Sequence, residues 1–194
     1  MSWIENLLII AGVSLDLFAA MECQGSLVRK VNKRHLSLIC LILAVWQLAA
    51  LFVGHFLSNL ILEKRDIPDN FFMGEIIAIV IFVGLGVRLV FKAIKNERIH
   101  EHLEKELGYR RFIRMANATS VYTLLAGLAF GFFGTNLVMI LVMIGLITIA
   151  VIVAGMYTGY HFGFENKRVV YYIGAGFLII AGADLIVRTV LTYR

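Results

Sequence analysis

The sequence predicts an all-α membrane protein, with six transmembrane helices arranged as two inverted three-helix repeats. Three observations carry this reading. Of 194 residues, 60% are apolar and 16% charged, and mean hydropathy is +0.86, where a soluble domain carries about a quarter charged residues. The apolar residues, about 116 in all, fill about six spans at roughly 20 residues each. Similar segments also recur in the same order in the two halves of the chain. This composition excludes an ordinary soluble fold, a disordered chain and a two-domain enzyme. Two cysteines, Cys23 and Cys40, make no disulfide framework.

The runs fall at about 4–25, 36–62, 71–94, 113–133, 135–162 and 168–191, each long enough to cross with some tilt or overhang. The first follows Met1 to Glu5, which lacks a basic segment, so it is expected to be a retained span rather than a cleaved leader. Arg29, Lys30, Lys33 and Arg34 join the first two spans. Lys64 and Arg65 stand among Glu63, Asp66 and Asp69 in the second link, beside the only proline, Pro68. The longest link carries Lys95, Arg98, Lys105, Arg110 and Arg111, the fourth turns at Gly134 without charge, and the fifth holds Lys167 and Arg168. The basic residues therefore concentrate in the odd links, which the positive-inside rule places in the cytoplasm, leaving both termini outside. The same clustering between apolar runs argues against nucleic-acid binding, since no basic face lies on a soluble fold.

Three spans then three spans invite a search for self-similarity. The segment Gly12 to Ala20 lies on Thr119 to Ala126, matching Ser14 to Ser120. Phe52 to Phe56 resembles Tyr157 to His161, and Gly86 to Lys92 resembles Gly182 to Arg188. The offsets are 106, 105 and 96, in order with one gap. The expected organisation is a first repeat over 1–94, a cytoplasmic linker over 95–112 and a second repeat over 113–194. An odd number of spans per repeat inverts the halves, an architecture of secondary transporters with substrate near the midplane. A duplicated scaffold without transport has the same pattern.

Charged groups inside spans are costly and point to function. Asp16 lies about 18 Å into the first span at 1.5 Å per residue, so near mid-bilayer, where it must be paired, protonated or bound to a cation. Gln47 offers an amide oxygen in the second span. In the fourth, Asn117, Thr119, Ser120, Tyr122 and Thr123 bring five oxygen-bearing side chains within two turns. Hard divalent cations take carboxylate, carbonyl and water oxygens, so Asp16 with these groups is a candidate metal set. The same polar side chains also hold membrane helices together, and both readings stand for all but Asp16. Glu22, Glu75, Arg88, Asp184 and Arg188 lie nearer the span ends and read as structural, with Arg88 snorkelling and Asp184 pairing with Arg188 at four residues' spacing. His55 and His161 read as packing histidines. His100, Glu101 and His102 form either a loose metal site or a solvated helical stretch. Gly127 and Gly131, then Gly155, Gly159 and Gly163, repeat every four residues, which suits close packing inside the bundle or in a homodimer. No nucleophile set, metalloprotease motif or phosphate loop is present, which argues against an enzyme.

With these residues in view, the chain resembles the bacterial manganese efflux pump family (MntP-like) over essentially its whole length. Ser14 to Ala19 is similar to that family's Ser-x-Asp-x-Phe-Ala signature, Leu85 to Arg88 to its Leu-Gly-Gly-Arg, and Ala118-Thr119-Ser120 to its Ala-Thr-Ser. Gly155-Met156 with Gly159 fits the fifth span. The resemblance implies a six-helix inverted repeat in the plasma membrane that exports Mn²⁺, the ion being substrate, with no resident cofactor and the lipid bilayer as its medium. Where the family pattern carries acids in the second and fourth spans, this chain holds Gln47 and Tyr122. A changed substrate, either a monovalent cation or a small solute, and a non-transporting scaffold are the alternatives.

Overall fold

The computed structural model describes residues 3–27, 33–63, 70–95, 109–163 and 167–192. They form α1 (Trp3–Ser26), α2 (Lys33–Glu63), α3 (Asn70–Lys95), α4 (Tyr109–Phe132), α5 (Leu137–Phe162) and α6 (Lys167–Thr192), with no strand among the described residues. All six contain a stretch long and apolar enough to cross a membrane, so the chain is a multi-pass membrane protein of the predicted class. The His100 to His102 segment and Pro68 lie outside the described residues.

The α4–α5 turn shows how the sequence stops one helix and starts the next. Gly134 takes φ +60°, a left-handed conformation that costs glycine little. Its N–H donates to Gly131 O at 3.0 Å, and Thr135 N–H donates to Phe130 O at 3.3 Å. Asn136 then caps α5, its side-chain oxygen accepting from Val138 N and Met139 N at 3.1 and 3.4 Å. These bonds satisfy backbone groups that a helix end leaves open.

In the bundle, α1 packs on α5 and α6, α2 on α4 and α5, and α3 on α6 and α4. Of the most apolar stretch of α1, 61% is buried, against 22% for that of α5. Thus α1 is the inner helix and α5 an outer one. An edge-to-face pair, Phe82 on Phe130 with centroids 5.5 Å apart, fills the core between α3 and α4.

Lipid tails are as apolar as the helices, so association relies on close backbone approach at small residues. Two crossings supply it most closely. Between α1 and α5, a Cβ on Gly25 would strike Met156 O, one on Gly159 would strike Glu22 O, and one on Gly155 would lie 2.8 Å from Phe18 O. Between α2 and α4, a Cβ on Gly54 would strike Leu124 O, and one on Gly127 would strike Leu51 O and lie 3.0 Å from Leu51 Cα. Gly25 and Gly131 stand 106 residues apart, and Gly54 and Gly159 stand 105. Those are the sequence offsets between the halves. Both glycine series named from sequence thus serve packing inside the bundle, except Gly163, which ends α5 at φ +74°.

The α2–α4 crossing yields a stability test. Gly127→Ala should lower stability by roughly 1–3 kcal/mol, because the new methyl meets backbone that cannot rotate away. Gly84→Ala, on α3 with no atom within 4 Å of its added Cβ, should leave stability nearly unchanged. Thermal unfolding of the two variants in detergent checks this.

Candidate functional site

The bundle places the one carboxylate expected near mid-membrane on its most buried helix. Asp16 is 3% exposed, so its charge needs a partner from within the protein. The partner is Lys92 in the last turn of α3, whose Nζ donates to Asp16 Oδ1 at 2.6 Å. The Lys92 side chain is 35% exposed against 5% for that of Asp16, so the pair is approached from the lysine side.

Aromatic faces hold the cations in place. The Lys92 ammonium lies 5.0 Å from the ring centroid of Tyr122 on α4 and 5.8 Å from that of Tyr171 on α6. One turn earlier on α3, the Arg88 guanidinium sits 4.0 Å from the Tyr122 centroid. Each such contact contributes roughly 0.5–2 kcal/mol, depending on its desolvation. Asp16, Arg88, Lys92 and Tyr122 line a cavity of about 10 Å³, walled by Val13, Leu85, Leu89 and Leu178. That is about the room one water needs. Asp16 Oδ2 is buried and has no hydrogen-bond partner among the described residues. With Asp16 ionised, the site pairs one negative charge with two positive ones.

The other candidates named from sequence divide between two places. Tyr122 joins Asp16 at the cavity. Gln47 instead faces α4: its Nε2 donates to Thr119 Oγ1 at 3.1 Å, and its Oε1 accepts from Thr123 Oγ1. Thr119 and Thr123 are four residues apart and so share a helix face. Thr119 Oγ1 also bonds its own helix, at Met115 O and Ala116 O. All three side chains are buried, and both ends of the Gln47 amide are occupied. Asn117 is exposed, and Ser120 Oγ donates to the Asn117 carbonyl at 2.9 Å. Among the described residues, no three or more His, Cys, Asp or Glu side chains group in a way that could hold a metal.

In the sequence, Lys92 stands out only within the repeat match, and Arg88 reads as a snorkelling side chain. Their four-residue spacing near the end of α3 puts both cations on one face. That spacing was visible, but the acid and aromatics opposite were not. At the other end of the bundle, Arg188 Nη1 lies 3.4 Å from Glu5 Oε1, and Thr189 Oγ1 donates to Glu75 Oε2 at 3.2 Å. These polar links tie α6 to α1 and α3. His55 Nε2 lies 3.4 Å from Thr135 O, holding α2 to the α4–α5 turn, and His161 Nδ1 lies 3.0 Å from the Tyr157 carbonyl one turn before it.

Residues 30–186 match the family model described as "Putative manganese efflux pump". Relatives bearing that description under the name MntP align over nearly their full lengths. The protein of Crocosphaera subtropica is 25% identical over 177 residues, 91% of each chain. That of Campylobacter jejuni is 22% identical over 188 residues, 97% of each. That of Fusobacterium nucleatum is 28% identical over 190 residues, covering 96% of this chain and 100% of the relative. No solved structure matches the chain.

The Gln47 arrangement makes a separable prediction. Gln47→Leu should destabilise the α2–α4 interface by roughly 1 kcal/mol, the usual scale for interhelical bonds in membranes. Gln47→Leu combined with Thr123→Val should cost less than the two single changes added together, because both remove the same bond. A double-mutant cycle of unfolding free energies measures that coupling.

Proposed function

Because the chain belongs to the manganese efflux pump family of membrane transporters, we propose that it exports Mn²⁺ from the cytoplasm, with Asp16 as the carboxylate that takes the ion. One observation carries the role of Asp16. It is a buried acid with an unpartnered oxygen, lining a cavity with room for a single water-sized guest. A cavity of that size suits an ion shed of most of its water better than an organic solute.

Mn²⁺ accepts carboxylate, neutral oxygen and water ligands. In this reading Asp16 supplies the charge and the Tyr122 hydroxyl a neutral oxygen, and room for water ligands appears as the site opens to one face. Gln47, Thr119 and Thr123 serve as the polar lock between α2 and α4, and Asn117 and Ser120 stand apart from the ion. The charge bias of the links puts the Lys92 end of α3 at the cytoplasmic face of the plasma membrane, so the ion arrives from the lysine side. Transport then requires the site to open alternately to each face, which two equivalent inverted halves accomplish by rocking against one another. The matched glycine crossings, Gly25 with Gly131 and Gly54 with Gly159, support such halves.

A second reading has a specific observation behind it. Two cations face one acid around the cavity, and a zwitterionic solute would place its own carboxylate on Arg88 and its amine on Asp16. The small cavity favours the ion.

Purified protein in liposomes separates the readings. Saturable Mn²⁺ flux is expected, exceeding that of Mg²⁺ and Zn²⁺, and Asp16→Asn should reduce it by at least about tenfold, as loss of the one charged ligand from a buried site demands. Equal Mn²⁺ flux in Asp16→Asn and the parent would remove Asp16 from the ion's path. Absence of Mn²⁺ flux with uptake of an amino acid would favour the second reading.

A further inference from the structure

We infer that Lys92 is a tethered counter-ion: its ammonium occupies Asp16 when no ion is bound and is displaced by the arriving ion, so that the empty transporter can reorient. This rests on the reading of Asp16 as the ion's carboxylate. Four observations lead to it. The ammonium takes only one oxygen of Asp16, Oδ1 at 2.6 Å, leaving Oδ2 without a hydrogen bond among the described residues. A cavity with room for about one water adjoins both groups. The lysine side chain is partly exposed whereas the acid is buried, so it is the lysine that has room to leave. Finally, the faces of Tyr122 and Tyr171, 5.0 and 5.8 Å from the ammonium, give it a place to rest after it releases the carboxylate, since cation–π attraction replaces part of what the ion pair supplied.

The consequence follows from the expense of carrying a bare charge through the membrane interior. With Mn²⁺ on Asp16 the carboxylate is answered by the ion itself, and the displaced ammonium withdraws toward its exposed side rather than adding to the charge at the acid. Without an ion, Asp16 still needs a cation, and Arg88 is placed over the Tyr122 ring at 4.0 Å. Lys92 fills the role without leaving the protein. It is a positioning residue rather than a ligand, and its role is confined to the return of the empty form. Removing it should therefore separate two modes of flux that a purely structural salt bridge would alter together.

The test compares the parent, Lys92→Gln and Lys92→Arg in liposomes with radioactive Mn²⁺. Net efflux into ion-free medium requires the empty protein to return, whereas exchange with Mn²⁺ on both sides does not. Lys92→Gln should lose at least about tenfold in net efflux, the penalty for moving a buried carboxylate that no cation contacts directly, and keep exchange within about twofold. Lys92→Arg should restore net efflux. A parallel loss or a parallel retention of both modes in Lys92→Gln would overturn the proposal.

A second measurement uses the parent protein alone, so it does not depend on a variant folding. Acylation of the Lys92 amine, followed by mass spectrometry, should rise several-fold when Mn²⁺ is added and stay unchanged with a non-transported cation. Mn²⁺ flux in the parent with no change in Lys92 reactivity would overturn the tethered counter-ion and leave the export reading standing. Absence of Mn²⁺ flux in either mode from the folded parent would overturn the export reading, and this inference with it.

Discussion

A carboxylate inside a bundle of apolar helices has to be balanced, and Asp16 draws its balance from an ammonium on another helix. The ion pair with Lys92, 2.6 Å long, joins α1 to α3 and draws Tyr122 and Tyr171 around it. Opposite charges in a low-dielectric surround interact far more strongly than in water, but each also bears a desolvation cost that can cancel the gain. Such a pair is therefore a poor device for stability and a good one for a site that must release one partner and accept another. The unpartnered Oδ2 and the adjoining cavity are the features on which the proposed exchange of partners rests.

Around this pair the rest of the bundle is built to hold backbones close. Gly25, Gly155 and Gly159 let α1 and α5 touch, and Gly54, Gly127 and Gly131 do the same for α2 and α4. At the α2–α4 crossing, Gln47 adds a buried amide bonded at both ends to threonines. A fully satisfied polar link fixes register as well as contributing energy. The α1–α5 crossing sets the backbone carbonyl of Glu22, whose side chain is buried, against Gly159. The two crossings thus share their glycine geometry and differ in their polar chemistry.

How much of the site was legible in the sequence depended on whether a residue acts through its own helix or through a neighbour. Asp16 was visible because an acid deep in an apolar run is costly wherever the run packs. The α4 oxygens were visible as a cluster, but Thr119 and Thr123 face α2, Tyr122 faces α1 and α3, and Asn117 is exposed. A helix turns 100° per residue, so neighbours in sequence part company in space, and only the packing of α2 reveals which of them Gln47 meets. Lys92 was visible only as the last residue of a repeat match at the end of the third span.

The sequence by itself determined that this chain spans a membrane six times, where each span lies, and that a single acid sits deep in the first of them. Those features follow from local composition: an apolar run of a given length must cross, and a charge within it must be answered. Only the tertiary structure decided what answers it. The choice of Lys92 over any other cation, the placing of Tyr122 beside Asp16, and the binding of Gln47 by Thr119 and Thr123 all arise where side chains on different helices come within a few ångströms. The physical reason is that helix formation in a membrane is settled within each span by backbone hydrogen bonding, whereas partners across helices are chosen by rotation and crossing, which the glycines permit but do not spell out.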